Sequence, residues 1–324
     1  MPLPSSSSFF GISKEVTKGT GVPATAFIPW TTFTPVDTIL YLEDKAMRGA
    51  AVDVYNEIAG PIYSTIACGG PVFADTFPWV VAGLLGDLVT TGATAPFSHA
   101  ISTKNSGDFQ PGSKSITDFY GIAGTNSRQF TGAQFSDLAL KFDATGMLEW
   151  TGSCTAFASA LVTKPTQSFT TIPPYASWVG TTNIGGSAIT KLEIGEIDVK
   201  RPVSVIHSVD GTQAPYGIWV GPVSVTGKLT LVHEDDSELI RYLTNTQPSL
   251  TIDFTTGAAA ALTEVKAQMT KCAYVVANIV RGKDYVQTDV TFTAIANSTD
   301  VGASGGYSPI KFTCQNAVAA SVYA

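Results

Sequence analysis

The chain has 324 residues, which is enough for two domains of ordinary size. Its hydrophobic content of 44% argues against wholesale disorder, and its charged content of 14% lies well below the roughly 25% of an average globular protein. With 19 basic and 26 acidic residues, the net charge is −7, which argues against tight binding of a phosphate backbone.

The first half predicts short strands and one helix. Strands are predicted over residues 33–42, 51–58 and 62–68. Asp75 is the predicted cap of a helix that follows it, with Pro78 tolerated in the first turn. Residues 103–132 are rich in Gly, Ser, Asn and Thr and predict a long loop, before a hairpin formed by residues 135–142 and 147–158.

Residues 164–178 contain three prolines and are the predicted linker, so we expect domains at 1–172 and 173–324. The second half predicts strands over 193–200, 203–209, 216–220, 223–232 and 310–314. A helix is predicted from Asp235 or Asp236 to near Asn245, with Glu238 completing an approximate capping box. Residues 274–297 predict a second hairpin. The many short strands favour β-sandwich or small barrel domains.

The two halves also repeat each other. Gly60-Pro61-Ile62 recurs as Gly221-Pro222-Val223, and Asp75 recurs as Asp236, both at an offset of 161. The segment 154–158 recurs as 292–296 at an offset of 138, so the first half carries about 23 more residues. Two similar domains that present similar surfaces are typical of a structural or assembly protein.

No candidate catalytic, cofactor-binding or metal site emerges from the motifs. The segment His233-Glu234-Asp235-Asp236 could suggest a metal or acid–base cluster, but acids before a helix are better explained as caps. The spacing of the three histidines matches no zinc motif, and the glycine-rich segment 302–306 precedes no predicted helix. The four cysteines form no C-x-x-C pair, which favours buried thiols and a reducing compartment.

The late hairpin strand of each half has one apolar and one polar, net acidic face. These polar residues predict either an ordinary solvent face or the wall of a water-filled channel, and the channel wall is the more specific hypothesis. Its members in the two late strands are Glu149, Thr151, Ser153, Thr155, Gln287, Asp289, Thr291 and Thr293. The same logic adds Thr65, Ser224, Thr226 and Thr230 from the earlier strand of each half. Lys228 brings a positive charge to this face.

Four segments carry a resemblance to a known family. They are residues 10–20 (FGISKEVTKGT), 200–203 (KRPV), 281–286 (RGKDYV) and 292–297 (FTAIAN). Through them the chain resembles the tail tube proteins of long-tailed bacteriophages, of the two-domain, duplicated kind, from about residue 9 to 318. The strings encode no chemistry, and the region 103–132 is the least typical of the family.

The resemblance implies tandem β-sandwich domains, each with a flanking helix. Six such domains would close a ring with a continuous inner β-barrel, so three copies would make one ring, and stacked rings would make the tube. The implied partners are other copies of the chain, a tape-measure protein, tail terminator and tail-tip proteins, and DNA that passes without specific binding. The implied location is the virion, after synthesis in the host cytoplasm. Ring-to-ring contacts are expected at 43–49, 209–215, the arm before Gly11 and the tail after Asn297.

Two alternatives stay open. An adhesin or carbohydrate-binding module would need exposed aromatic platforms and an export signal, and the start of the sequence does not resemble a signal peptide. A β-fold hydrolase would need a polar catalytic constellation, which the sequence does not reveal. No membrane association, metal or cofactor is expected.

Overall fold

The computed structural model describes residues 4–121, 127–282, 284–319 and 322–323. The first half contains the helix α1 (Phe77–Leu85) and the strands β1 (Phe9–Lys14), β2 (Ala26–Ile28), β3 (Thr32–Asp44), β4 (Asn56–Pro71), β5 (Gly86–Thr91), β6 (Phe97–Thr103), β7 (Lys114–Phe119), β8 (Ser127–Asp143), β9 (Glu149–Ala156) and β10 (Ala160–Leu161).

The second half contains the helix α2 (Ser237–Leu243) and eleven further strands. They are β11 (Gly180–Ile184), β12 (Ser187–Ile189), β13 (Leu192–Lys200), β14 (Val203–Ile206), β15 (Gly217–Val220), β16 (Ser224–Val232), β17 (Leu250–Thr256), β18 (Thr263–Met269), β19 (Cys272–Arg281), β20 (Val286–Ala294) and β21 (Lys311–Asn316). The protein is mainly β, of the sandwich type, with a helix in each half, as the sequence predicts.

One antiparallel sheet runs through both halves, and we call it the long sheet. Its strands lie in the order β3-β4-β9-β8-β13-β16-β20-β19. The first four strands form a first unit and the last four a second unit, joined where β8 pairs with β13. The N-terminal part of β8 turns away to pair with β7, which in turn pairs with β1 and then β2.

A second sheet contains seven strands in the order β12-β11-β17-β18-β21-β6-β5. The C-terminal strand β21 lies between β18 of the second half and β6 of the first half. The strands β14 and β15 form a separate hairpin. Both large sheets therefore contain strands from the two halves, and one hydrophobic core extends across them.

The register shows that the two units are built alike. Thr65 pairs with Thr155 in the first unit, and Thr226 pairs with Thr293 in the second, at the offsets of 161 and 138 found in the sequence. Each unit also has an irregularity at the same place, because the register shifts between Phe135 and Asp137 in β8 and between Tyr274 and Val276 in β19. The repeat is thus present in the strand pairing as well as in the residue types.

The buried face of the long sheet is filled by aromatic and branched side chains. Trp150, Phe135 and Phe292 are all 2% exposed or less. Gly195 on β13 and Phe142 on β8 lie opposite each other, and a Cβ at Gly195 would meet the Phe142 ring at 2.1 Å. The glycine therefore lets this ring lie flat across the junction of the two units.

Both helices form where the sequence predicts them, but the side-chain caps differ from the prediction. The residue before α1 is Thr76 rather than Asp75, without a side-chain cap, and α2 follows Asp236 without a side-chain cap from that residue. The Asp235 carboxylate instead accepts the Ser237 N–H at 2.8 Å. The capping box is also wrong, because Glu238 turns inward to accept hydrogen bonds from Arg241 and from the Tyr274 hydroxyl, each at 2.5 Å.

Two other segments also differ from the prediction. The strand expected over 51–58 begins only at Asn56, and 45–55 lie between β3 and β4. The long loop expected over 103–132 contains β7 and the start of β8. Its polar composition hid a strand that is buried along its whole length, with β1 and β8 as its neighbours in the sheet.

Candidate functional site

The twelve polar residues singled out in the sequence lie on one face of the long sheet. Along β9, buried and more exposed residues alternate, with Glu149 and Thr151 exposed and Trp150 and Gly152 buried. The same alternation runs along β16 and β20 and along residues 64–68 of β4. The residues on this face are Thr65, Glu149, Thr151, Ser153, Thr155, Ser224, Thr226, Thr230, Gln287, Asp289, Thr291 and Thr293. We call it the polar face.

Short hydroxyl side chains bind the acids of the polar face. The Thr230 hydroxyl donates to the Asp289 carboxylate at 2.8 Å across β16 and β20. The Asp137 carboxylate accepts a hydrogen bond from the hydroxyl of Ser136 at 2.7 Å and another from Ser153. These contacts fix the carboxylates without neutralising their charge, so the face keeps an acidic character.

The lysines of this face lie next to acids. Lys228 lies directly across from Glu196, and the Lys141 ammonium lies 3.0 Å from the same carboxylate. Lys200 lies directly across from Asp137. Partial burial, together with the neighbouring charge of Glu196, raises the pKa of Asp198. Three lysines therefore lie among the acids of this face, which include Asp137, Asp143, Glu149, Glu196, Asp198 and Asp289.

The long sheet has two edges. Among the residues that the structure describes, β3 pairs only with β4, and β19 pairs only with β20. Both edge strands carry exposed apolar side chains, with Val36 48% and Val275 54% exposed. An exposed edge of this length is prone to pair with another chain.

Two hairpins extend beyond the units, and we call residues 39–60 the first arm and 201–221 the second arm. They are equivalent, because Tyr41 pairs with Ala59 as Val203 pairs with Val220. Ile218 and Val220 in the second arm are buried, whereas Leu42 and Ile58 in the first arm are 56% and 57% exposed. The segments predicted to contact other rings, 43–49 and 209–215, lie toward the ends of these arms.

The charged groups near His233 are bound by neighbouring side chains. The His233 ring bonds the Thr288 hydroxyl at 2.9 Å, and the Asp235 carboxylate lies 3.0 Å from the Lys191 ammonium. The hydrogen bond from Ser237, followed by that from Lys191, lowers the pKa of Asp235. Within the described residues, no group of three or more His, Cys, Asp and Glu side chains has the arrangement of a metal site.

The glycine-rich segment 302–306 has a structural role that the sequence did not indicate. The backbone N–H and the hydroxyl of Ser304 donate to the buried Asp87 carboxylate at 2.9 and 2.7 Å. The four cysteines are buried thiols, and burial raises the pKa of Cys68 and of Cys272 to about 12. Such thiols are poor nucleophiles.

Sequence reasoning also missed a buried contact of the C-terminal segment. The Tyr323 side chain is fully buried, edge-on to the rings of Trp79 and His99. The Lys114 ammonium donates to the Tyr323 carbonyl at 2.5 Å, and burial lowers the Lys114 pKa to about 7. Tyr323 belongs to no alternating pattern in the sequence, and Lys114 lies in the predicted loop 103–132, so the sequence did not predict that either side chain is buried.

The described part of the chain contains no helix that is long and apolar enough to cross a membrane. A search of curated proteins found no match to the chain. A family model described as phage tail tube protein matches residues 5–294, which is most of the chain. The fold is mainly β and of the sandwich type, as that resemblance implied, and the chain belongs to the phage tail tube protein family.

Proposed function

We propose that three copies of this protein close into a ring, and that the rings stack into a tube through which viral DNA is delivered into a host bacterium. Membership of the tail tube family supports a structural role in the virion rather than a catalytic one. The observation that carries the proposal is the junction between β8 and β13, where two equivalent four-strand units already pair edge to edge within one chain.

The junction within the chain indicates how copies would join. By the register of the two units, β19 is equivalent to β8, and β3 is equivalent to β13. Ala139 pairs with Asp198 at the junction, and the equivalent residues are Asn278 and Val36. We therefore propose that β19 of one copy pairs with β3 of the next, with Asn278 opposite Val36. Each new junction would remove two exposed sheet edges.

Three copies would supply six units, and their long sheets would close into a barrel of 24 strands. At a strand spacing of about 4.8 Å, such a barrel measures roughly 37 Å across between backbones, and strand tilt widens it further. That is wider than a DNA duplex. The division of each copy at 172/173 remains a prediction within this scheme.

We propose that the polar face lines the channel. Its hydroxyl side chains offer no charge to phosphates, and its acids repel them within a Debye length of about 8 Å at physiological salt. The lysines of the face lie next to acids, which limits their power to bind phosphates. DNA would therefore pass without specific binding. A tape-measure protein would occupy the same channel during assembly, and terminator and tail-tip proteins would close its ends.

A cysteine pair tests the proposed junction. Val36→Cys combined with Asn278→Cys should form disulfides between copies on mild oxidation, because the pair would lie directly opposite across the junction. The native cysteines are buried and should not interfere. Thr65→Cys with Asn278→Cys is the matched control, since Thr65 lies on the same face but one strand further in.

Non-reducing gels of assembled tubes should show dimers and trimers for the first pair and monomers for the control. Cross-links that extend to hexamers would reject the three-copy ring. If intact tubes give no cross-link at all, the proposed strand pairing is wrong.

A further inference from the structure

The two helices are equivalent in position but differ in exposure. Every residue of α1 is buried. In α2, Ile240, Tyr242 and Leu243 are 56%, 38% and 71% exposed, and we call these three residues the helix patch. Large apolar side chains grouped in this way on a surface mark a contact with a partner.

The structure shows what covers the end of α1. Arg201, at the base of the second arm, is 4% exposed and donates to the Leu84 carbonyl at the end of α1 at 2.9 Å. The same guanidinium donates to the carbonyls of Gly221 and Phe109 at 2.8 and 3.2 Å. The second unit thus places the base of its arm on the helix of the first unit.

The irregularity in β8 takes part in the same contact. Ser136 lies at the register shift of β8, and its carbonyl accepts the backbone N–H of Arg201 at 2.7 Å. The equivalent residue at the register shift of β19 is Val275, which is 54% exposed. The second unit therefore has the same strand irregularity and an equivalent helix. Both carry exposed apolar side chains at the places where the first unit binds the second arm.

We infer that the base of the first arm of one copy packs on the helix patch of the next copy in the same ring. In the register of the units, Arg201 corresponds to Ile39 and Pro202 to Leu40, which are 36% and 44% exposed. The inference rests on the proposed ring. It adds a second contact between copies to the proposed pairing of β19 with β3.

The first arm and α2 are both more apolar than the second arm and the end of α1, which supports another copy of the chain as the partner. Within the chain, the Arg201 guanidinium meets one carbonyl of α1, that of Leu84, and the loop that holds Phe109. The second unit has no counterpart of that loop, because only Thr270 and Lys271 separate β18 from β19. The equivalent arm carries Ile39 in place of the arginine, and the equivalent helix carries exposed apolar groups. Between copies, the apolar first arm would therefore meet the apolar helix patch. Within one chain, the equivalent contact is polar, between Arg201 and the end of α1.

The acid of α2 does not oppose such a contact. The Glu238 carboxylate accepts hydrogen bonds from Arg241 and from Tyr274, and the residue is 4% exposed. Its charge is held within its own unit, so the helix patch presents apolar carbon to a neighbour.

Introducing opposite charges on the two apolar surfaces tests the inference. Ile39→Glu and Leu243→Lys should each raise the protein concentration needed for assembly by about tenfold to a hundredfold, because each replaces an apolar contact with a buried charge. The two changes combined should restore much of the assembly, since they would pair opposite charges. Leu161→Asp is the matched control, because Leu161 is 79% exposed on β10 and should assemble normally.

Circular dichroism should first show that each monomer is folded. Normal assembly by either single variant would overturn the inference, and so would a combined variant that assembles no better than the single ones. The disulfide between Val36→Cys and Asn278→Cys separates the two proposals. If that disulfide forms in tubes and the charge variants assemble normally, only the arm contact is wrong; if it does not form, the ring itself fails.

Discussion

Reversing the charge of the polar face should make the tube retain DNA. The change is Glu149→Lys combined with Asp289→Lys, at two exposed positions on equivalent strands. Asp289 loses one hydrogen bond from Thr230, a cost of about 1 kcal/mol, and the lysine at 149 lies across from Lys141. Neither change touches the core. Asp289 lies directly across from Asn278 at the proposed junction, but Asp289→Lys leaves the backbone pairing there in place, so we expect tubes to assemble.

The size of the effect follows from the number of added cations. Two lysines in each of three copies place six new positive charges in every ring. A protein that neutralises about six phosphates loses roughly 10³ in affinity between 50 and 200 mM salt. We therefore expect strong retention of duplex DNA at low salt and little at physiological salt.

The assay measures DNA release from phage that carry the variant, at several salt concentrations. Glu149→Gln with Asp289→Asn is the matched control, because it removes the acids without adding cations and should slow release only slightly. Thr181→Lys with Ser187→Lys adds the same number of cations to exposed positions of the other sheet and should have no effect. Release at normal speed in low salt from intact lysine tubes would refute the assignment of the polar face to the channel.

Three further predictions concern stability and assembly. Tyr323→Ala should lower the free energy of unfolding by about 3–5 kcal/mol in urea titrations, because it empties a fully buried ring site, whereas Tyr307→Ala, at 67% exposed, should change little. The Lys114 pKa is lowered to about 7 in the folded protein, so between about pH 7 and 10.5 the unfolded chain holds a proton that the folded protein has lost. The free energy of unfolding should therefore rise with pH across this range, and Lys114→Met should lose the rise. An unchanged slope in the variant would contradict this prediction. Deletion of residues 43–49 should leave folded protein that forms no tubes in electron micrographs, and normal tubes would exclude this segment from ring stacking.

The alternation and the repeat of the two units could be predicted from the sequence, because both are visible in the order of residue types. Alternation along residues 149–155 and 287–293 reports a sheet with one buried face, and a repeat at a constant offset reports equivalent register. The pairing of Thr65 with Thr155 and of Thr226 with Thr293 agrees with both signals.

The features that escaped prediction depend on distant partners. β7 is buried along its whole length although its sequence is mostly polar, so no apolar alternation marks it as a strand. Asp75 has the residue type of a cap, yet α1 follows Thr76, because tertiary packing of a wholly buried helix outweighs its end chemistry. The contact of Arg201 with α1 joins residues 117 positions apart, and no local pattern reports it.

The position of β21 has a consequence for the order of folding. This last strand fills the place beside β6, and the Ser308 hydroxyl that precedes it bonds Thr103, 205 residues earlier. The first half therefore completes its share of the second sheet only after residues up to Asn316 have been synthesised. Until then the edge of β6 is open, and a nascent chain has a partial sandwich at its N-terminal end. We expect chains that stop before Lys311 to aggregate or be degraded, which would keep incomplete subunits out of a growing assembly.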